Sequence, residues 1–379
     1  MKNPFAYGRV VEGREFCPRP KLEKLIVDVL ASGQNIVLHG ERRVGKTSLV
    51  VRTANKLKQS RLLYVDFMAV NTAVDVAERI ARATLAVSHK GNFVVQALKL
   101  LSSLSPVISM DPQTGTPSLS LNRTTMQRDV IGVIEDVLER VAELHKKKPL
   151  VVVFDEFQEI LKIKNSREAL ARMRSKIQFH GNLPYVFSGS SRTKMEHIFA
   201  DPVSPFYKSA ISIQVGALGT QSFHNFLERN FVKGGRMISP ELWTGIQELG
   251  ITITGDTQQA CWALWQASEP GDDLGAASLQ NALDVIFEIE GSKYGDIVST
   301  IAPSQLKCLL ALAVVGGKTV YSKEFKHTSG ITTNSSITKA LGRMEELWLI
   351  NRAAKAYSFA NPFFALWLKQ RFSGAVIVT

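Results

Sequence analysis

GERRVGKTS, Gly40 to Ser48, is the stretch that decides the fold. Gly40, Gly45, Lys46 and Thr47 fall on the spacing G-x-x-x-x-G-K-[ST]. QNIVLHG before it reads as a short buried strand, and TSLVVRTANKL after it reads as a helix. Glycine lets the backbone bend so that its N–H groups wrap phosphates, and the following helix adds the positive end of its dipole. Lys46 is placed to reach the β- and γ-phosphates and the Thr47 hydroxyl to bind Mg²⁺. Glu41, Arg42, Arg43, Val44 and Ser48 complete the wrap, so the whole loop is the expected nucleotide contact.

A second acidic motif matches the first. KPLVVVFDEF is a near-continuous apolar strand that ends in two acids. Asp155 is expected to hold the Mg²⁺ shell and Glu156 to polarise the attacking water. An Asp-Glu pair favours hydrolysis over binding alone. FSGSSR closes another strand and offers Ser188, Ser190 and Arg192 beside the γ-phosphate. Arg42, Arg43, Arg174 and Lys208 are further cations able to offset transition-state charge, from this chain or a neighbouring copy.

QNIVLHG, RLLYVDFMAV, KPLVVVFDEF and PYVFSGSS are strands with helical patterns between them, which predicts a parallel sheet between helical layers. The fold class expected is an α/β P-loop sandwich over residues 1–218, with a surface hairpin inserted near 105–122 at PVISMDPQTGTPSLSL. After Leu218 strand signals fade, and residues 219–292 read as helical. Residues 293–379 read as three helices and a hairpin, a winged helix-turn-helix. Its third helix, NSSITKALGRMEELWLI, takes Asn334 or Ser335 as N-cap and buries Ile337, Leu341, Met344 and Leu347. If that helix reads DNA, Thr333, Asn334, Ser336, Lys339 and Arg343 face outward with Thr332, and Arg352 and Lys355 on the wing grip phosphates. The other use of this module is docking to a protein partner or holding the core inactive.

The chain's 379 residues suit two or three domains. Its net charge is +12, and residues 301–379 carry ten Lys/Arg against three Glu, so most of the excess lies in the C-terminal module. That distribution points to a polyanionic partner such as duplex DNA. Three cysteines, Cys17, Cys261 and Cys308, have no paired spacing, which argues against a disulfide framework or a zinc site. No apolar run approaches the roughly 18 residues that cross a bilayer. MKNPFAYGRVVEGREF lacks a signal-peptide pattern, and a cytoplasmic location without membrane contact is expected.

Taken in order, NPFAYGRVVEGREFCPRPKLEKL, GQNIVLHGERRVGKTSLV, VVVFDEFQEI, RSKIQFHGNLPYVFSGSS, HIFADPVSPFY, ALGRMEELWLI and NPFFALWL resemble the archaeal-type ATPase family. This is a branch of the signal-transduction (STAND) P-loop ATPases related to the AAA+ and origin-recognition proteins. The resemblance spans nearly the whole chain. It implies an ATPase core, a helical lid and a C-terminal winged helix. The ligands expected from the motifs are ATP or ADP and Mg²⁺, and a nucleotide switch of this kind is expected to turn over slowly or on stimulation by a partner. The resemblance also implies that Val10, Val11, Phe16 and Arg19 help enclose the adenine. Two positions depart from the pattern. TGDTQQAC keeps Gly255 but has no following proline to touch the base, and Lys208 follows Tyr207 where many relatives carry arginine. Lysine presents a point charge where arginine presents a fork.

Overall fold

The computed structural model describes residues 2–87, 106–110, 117–121, 130–353 and 356–372. The chain divides into two compact units, Val10–Leu218 and Gly219–Thr379 with the N-terminal Met1–Arg9.

The first unit opens with α1 (Pro20–Ala31), where proline at the first turn costs no hydrogen bond and Ile26 and Leu30 point inward. β1 (Ile36–His39) leads through the glycine loop into α2 (Lys46–Lys56). β2 (Arg61–Asp66) and α3 (Ala73–Val87) follow, then the paired β3 (Pro106–Met110) and β4 (Pro117–Leu121). α4 (Val130–Lys147), β5 (Leu150–Asp155), a 3-10 segment (Phe157–Lys162), α5 (Ser166–Ile177), β6 (Tyr185–Gly189), α6 (Arg192–Phe199) and β7 (Ile211–Gln214) complete it.

Five strands form a parallel sheet in the order β2-β5-β6-β1-β7. All six residues of β5 are buried, as a central strand covered on both faces requires. Phe67, Phe154, Phe157, Phe187 and Phe206 interlock in the core beside it. β7 is a strand that the sequence pattern did not suggest. It is four residues long, lies at the sheet edge beside β1, and buries only Ile213, so it carries little apolar signal. The inserted hairpin pairs antiparallel from Pro106–Leu121 to Met110–Pro117, and the expected turn between its strands lies outside the described residues.

The second unit contains α7 (Thr220–Lys233), β8 (Met237–Ile238), α8 (Pro240–Glu248), α9 (Thr254–Gln266) and β9 (Asp273–Leu274). β8 and β9 form a two-residue parallel pair, an addition to the all-helical expectation. Phe5 of the N-terminal segment is buried against Phe231 and Trp265, and Asn3 Nδ2 donates to the Trp262 carbonyl at 3.0 Å. α10 (Ser278–Thr300) runs without a break through position 292.

α11 (Pro303–Val315), α12 (Lys323–Ser329) and α13 (Asn334–Glu346) precede β10 (Ile350–Ala353) and β11 (Ala356–Phe359), an antiparallel pair, and α14 (Pro362–Phe372). These are the helices and wing of a winged helix. Thr333, rather than Asn334 or Ser335, caps α13: its backbone is extended and its hydroxyl accepts from Ser336 N–H. α13 buries Ile337, Ala340, Leu341 and Met344. Leu347 was expected on that face but is 40% exposed, because the helix stops at Glu346 and Trp348 turns the chain with φ 60°. Among the described residues, no helix is long and apolar enough to cross a membrane.

Candidate nucleotide-binding site

The loop ends β1 and starts α2, so its shape is set from both sides. Gly40 packs so closely on β7's continuation that an added Cβ would lie 2.2 Å from the Val215 carbonyl oxygen. Gly45, directly before α2, has φ 91°, a left-handed conformation that glycine adopts without strain. Arg43 also has positive φ, 66°.

Lys46 is buried, and its Nζ donates to the carbonyls of Gly40 at 3.0 Å and Glu41 at 2.8 Å. Burial lowers its pKa, and the Arg42 charge adds to that, while the Glu156 and Asp155 carboxylates oppose it. The ammonium therefore rests on neutral acceptors inside its own loop.

Thr47 Oγ1 donates to Asp155 Oδ2 at 2.7 Å. Tyr64 Oη donates to that same oxygen at 2.6 Å, and Glu156 N–H donates to Oδ1 at 3.0 Å. Burial and the Asp155 charge push the Tyr64 phenol far up, so it stays a neutral donor. Glu156 has φ 49°, a strained value for a residue with a side chain. Its Oε2 accepts from Ser190 Oγ at 2.7 Å and from Gln158 Nε2. Arg42 Nε donates to Ser190 Oγ at 3.4 Å, which ties the phosphate loop to the end of β6.

β6 lies between β1 and β5, and this order brings Ser190 to the Glu156 carboxylate. Ser188 is fully buried and its hydroxyl has no hydrogen-bond partner among the described residues. Arg192 opens α6, 68% exposed, with Nε bound to Glu196 Oε1 at 2.7 Å. Arg174 is half-buried on α5. Lys208 is exposed with φ 52° and sets its ammonium 5.2 Å from the Tyr207 ring centre.

Two of the N-terminal candidates reach the loop. Val11 N–H donates to Ser48 Oγ at 3.0 Å. Arg19 forks between two carbonyls, Gly216 at 2.7 Å and Val44 at 2.9 Å, and burial lowers its pKa. Phe16 is buried beneath the Arg52 guanidinium at 4.8 Å, and Val10 is 41% exposed. The buried Glu23 on α1 accepts from the Arg19 amide, Arg52 and Lys56, and so ties α1 to α2.

Tyr64 and Gln158 escaped the sequence reading. Tyr64 sits opposite Val153 in the β2–β5 register and so on the same face as Asp155, a relationship visible only once the strands are paired. Gln158 stands two residues after Glu156, and its polarity was the available signal.

A profile of ATPase domains found predominantly in Archaea matches residues 24–244, more than half of the chain. The chain belongs to this ATPase family. A second profile, of a probable winged helix domain, matches residues 292–370 of the ATPase. Among curated proteins no sequence matches it. Similar solved structures include the Walker-type ATPase PABY2304 of Pyrococcus abyssi, 17% identical, with a TM-score of 0.60 over 97% of this chain and 99% of that one. The Aeropyrum pernix ORC1 protein, solved in complex with DNA, is 15% identical with a TM-score of 0.51 over 96% and 95%. The Aeropyrum pernix ORC2 protein, solved as ADPNP-ADP complexes, is 12% identical with a TM-score of 0.52 over 99% and 100%. At these identities the likeness is one of fold.

The donor set fits a nucleotide with a hard cation. A hydroxyl and a carboxylate meet at 2.7 Å, both oxygen ligands of the kind Mg²⁺ takes. Among the described residues the ammonium beside them holds two backbone carbonyls, which phosphate oxygens displace readily.

Proposed function

We propose that this ATPase is a Mg²⁺-dependent nucleotide switch whose winged helix binds duplex DNA. The observation that carries the catalytic half is the meeting of Thr47 with Asp155, with the Glu156 carboxylate one residue further on. Mg²⁺, when bound, screens phosphate charge and fixes the triphosphate for in-line attack. Thr47 and Asp155 are the residues to hold it. Lys46 leaves its loop carbonyls for the phosphate oxygens, and Gly40 to Ser48 wrap them. Glu156 takes a proton from the attacking water, hydroxide adds to the γ-phosphorus, and the electron pair of the broken P–O bond leaves with ADP. Ser190 and Arg42, joined at 3.4 Å, act as the sensors of the γ-phosphate. Turnover is slow, as a switch needs one hydrolysis per signal. The test is nucleotide trapping: Glu156→Gln retains ATP unhydrolysed and Lys46→Ala fails to bind it. Wild-type turnover by Glu156→Gln would sink this mechanism.

The DNA half is supported by the exposed first turn of α13, where Thr333, Asn334 and Ser336 stand free of the core with Thr332 and Lys339. Arg352 on the wing is exposed too, and Lys355 lies outside the described residues. ORC1, a protein of the same fold, was solved with DNA. A mobility shift on duplex DNA, steeply weakened by salt, tests this reading, and no shift at low salt rejects it. A second reading has its own observation. Tyr321, Leu347 and Trp348 are exposed large apolar residues at 45%, 40% and 38%, the type of surface a protein partner or a second copy would cover. Partner-dependent turnover without DNA binding would favour it. A cytoplasmic location accompanies either reading.

A further inference from the structure

Gln158 lies in the 3-10 segment Phe157–Lys162 and is fully buried. Its side chain makes one hydrogen bond among the described residues, from Nε2 to Glu156 Oε2. Its Oε1 has no hydrogen-bond partner there. A buried amide with an unsatisfied carbonyl is a costly way to fill space that leucine or methionine would fill without loss. The neighbouring strand also makes room for it. An ideal Cβ on Gly189 would lie 2.5 Å from Gln158 Oε1, so β6 reaches the amide only because residue 189 is glycine. Glu156 itself, at φ 49°, needs its surroundings to hold it. The buried amide, the glycine and the strained backbone all serve one carboxylate.

We propose that Gln158 is a positioning residue for hydrolysis: together with Ser190 it fixes Glu156 by Oε2 and leaves Oε1 to receive the water's proton. This rests on the reading of Glu156 as the base. The two donors differ in what else they serve. Ser190 Oγ also receives Arg42 Nε from the phosphate loop at 3.4 Å, so its bond answers to what the loop holds. Gln158 is anchored in the core and keeps Glu156 aimed when Ser190 turns toward a γ-phosphate.

The experiment is steady-state ATP turnover of the full chain for wild type, Gln158→Met, Glu156→Gln, Glu156→Asp and the Gln158→Met, Glu156→Asp double variant, with thermal melting of each. Methionine matches the shape of glutamine and removes the donor. Gln158→Met is expected to lower kcat about tenfold with KM for ATP unchanged. In the Glu156→Asp background, whose shortened carboxylate falls out of reach of the amide, it is expected to lower the residual turnover no further, since its effect passes through that carboxylate. If Gln158→Met melts early, Gln158→Asn keeps a buried amide but falls one methylene short, and the same loss is expected. Full turnover by the folded variant, or an equal loss in the Glu156→Asp background, overturns the role of Gln158 alone. Wild-type turnover by Glu156→Gln overturns the Glu156 reading and this one with it.

Discussion

The Thr47 hydroxyl lies 2.7 Å from Asp155 Oδ2, a bond between residues 108 apart in the chain. Two motifs that sequence places on different strands meet there, at the C-terminal ends of a parallel sheet. Ligands of open α/β folds bind in that position, where loops from several strands converge.

Tyr64 shares that Asp155 oxygen at 2.6 Å. Its donated bond fixes the rotation of the carboxylate, as partners behind metal ligands generally do. Tyr64→Phe is expected to raise the Mg²⁺ concentration for half-maximal ATP binding about tenfold, with nucleotide binding at saturating Mg²⁺ unchanged. Calorimetric titrations of ATP at stepped Mg²⁺ measure this, and an unshifted Mg²⁺ dependence would count against an orienting role.

Arg19 joins the Val44 carbonyl of the phosphate loop to Gly216 with two separate nitrogens. Lysine keeps the charge but offers no fork. Arg19→Lys should therefore resemble Arg19→Ala, each weakening ATP binding about tenfold, the equivalent of about 1.4 kcal/mol. Full affinity in the lysine variant would show that charge alone suffices.

Glu23 supplies a pH dependence. Burial works against its charge, yet hydrogen bonds from Lys56, Arg52 and the Arg19 amide outweigh it and hold the carboxyl at about 2. A carboxyl with a depressed folded-state pKa stabilises above its unfolded value, about 4.3, and that contribution is lost as pH falls toward 2. Lys56 is 47% exposed, so screening keeps the network below the cost of breaking a fully buried pair. Glu23→Gln is expected to cost about 1–3 kcal/mol at pH 7 and progressively less from pH 4 down. Denaturant melts at pH 7 and pH 3 check both parts, and an equal penalty at the two would contradict the assignment.

What could be read in the sequence follows the length and periodicity of each signal. VVVFDEF announced its strand because a covered parallel strand is apolar throughout. The glycine loop announced itself because its chemistry is local. β7 did not, since an edge strand of four residues with one buried position carries no pattern. Tyr64 and Gln158 depend on strand register and on a close approach at Gly189, neither of which is local. The Thr333 cap and the exposed Leu347 show the usual limit, that helix ends move by a residue or two when several polar residues compete for them.

The winged helix offers a prediction that separates phosphate contact from base contact. Lys339 and Arg352 are exposed cations. Each change to alanine should weaken binding to all duplexes alike and lower the salt slope by about one. Arg343 is already paired with Glu346 at 2.8 Å, so its removal should matter less. Fluorescence anisotropy across a salt series measures the slopes, and unaltered slopes would place the DNA surface elsewhere.

Calorimetric titration of the full chain with ATP and Mg²⁺, beside Lys46→Ala, tests the phosphate-loop site most directly. One molecule of ATP bound per chain, with heat that vanishes in the variant, is the predicted result. Equal binding by Lys46→Ala, or no binding by the wild type at millimolar ATP, would contradict it.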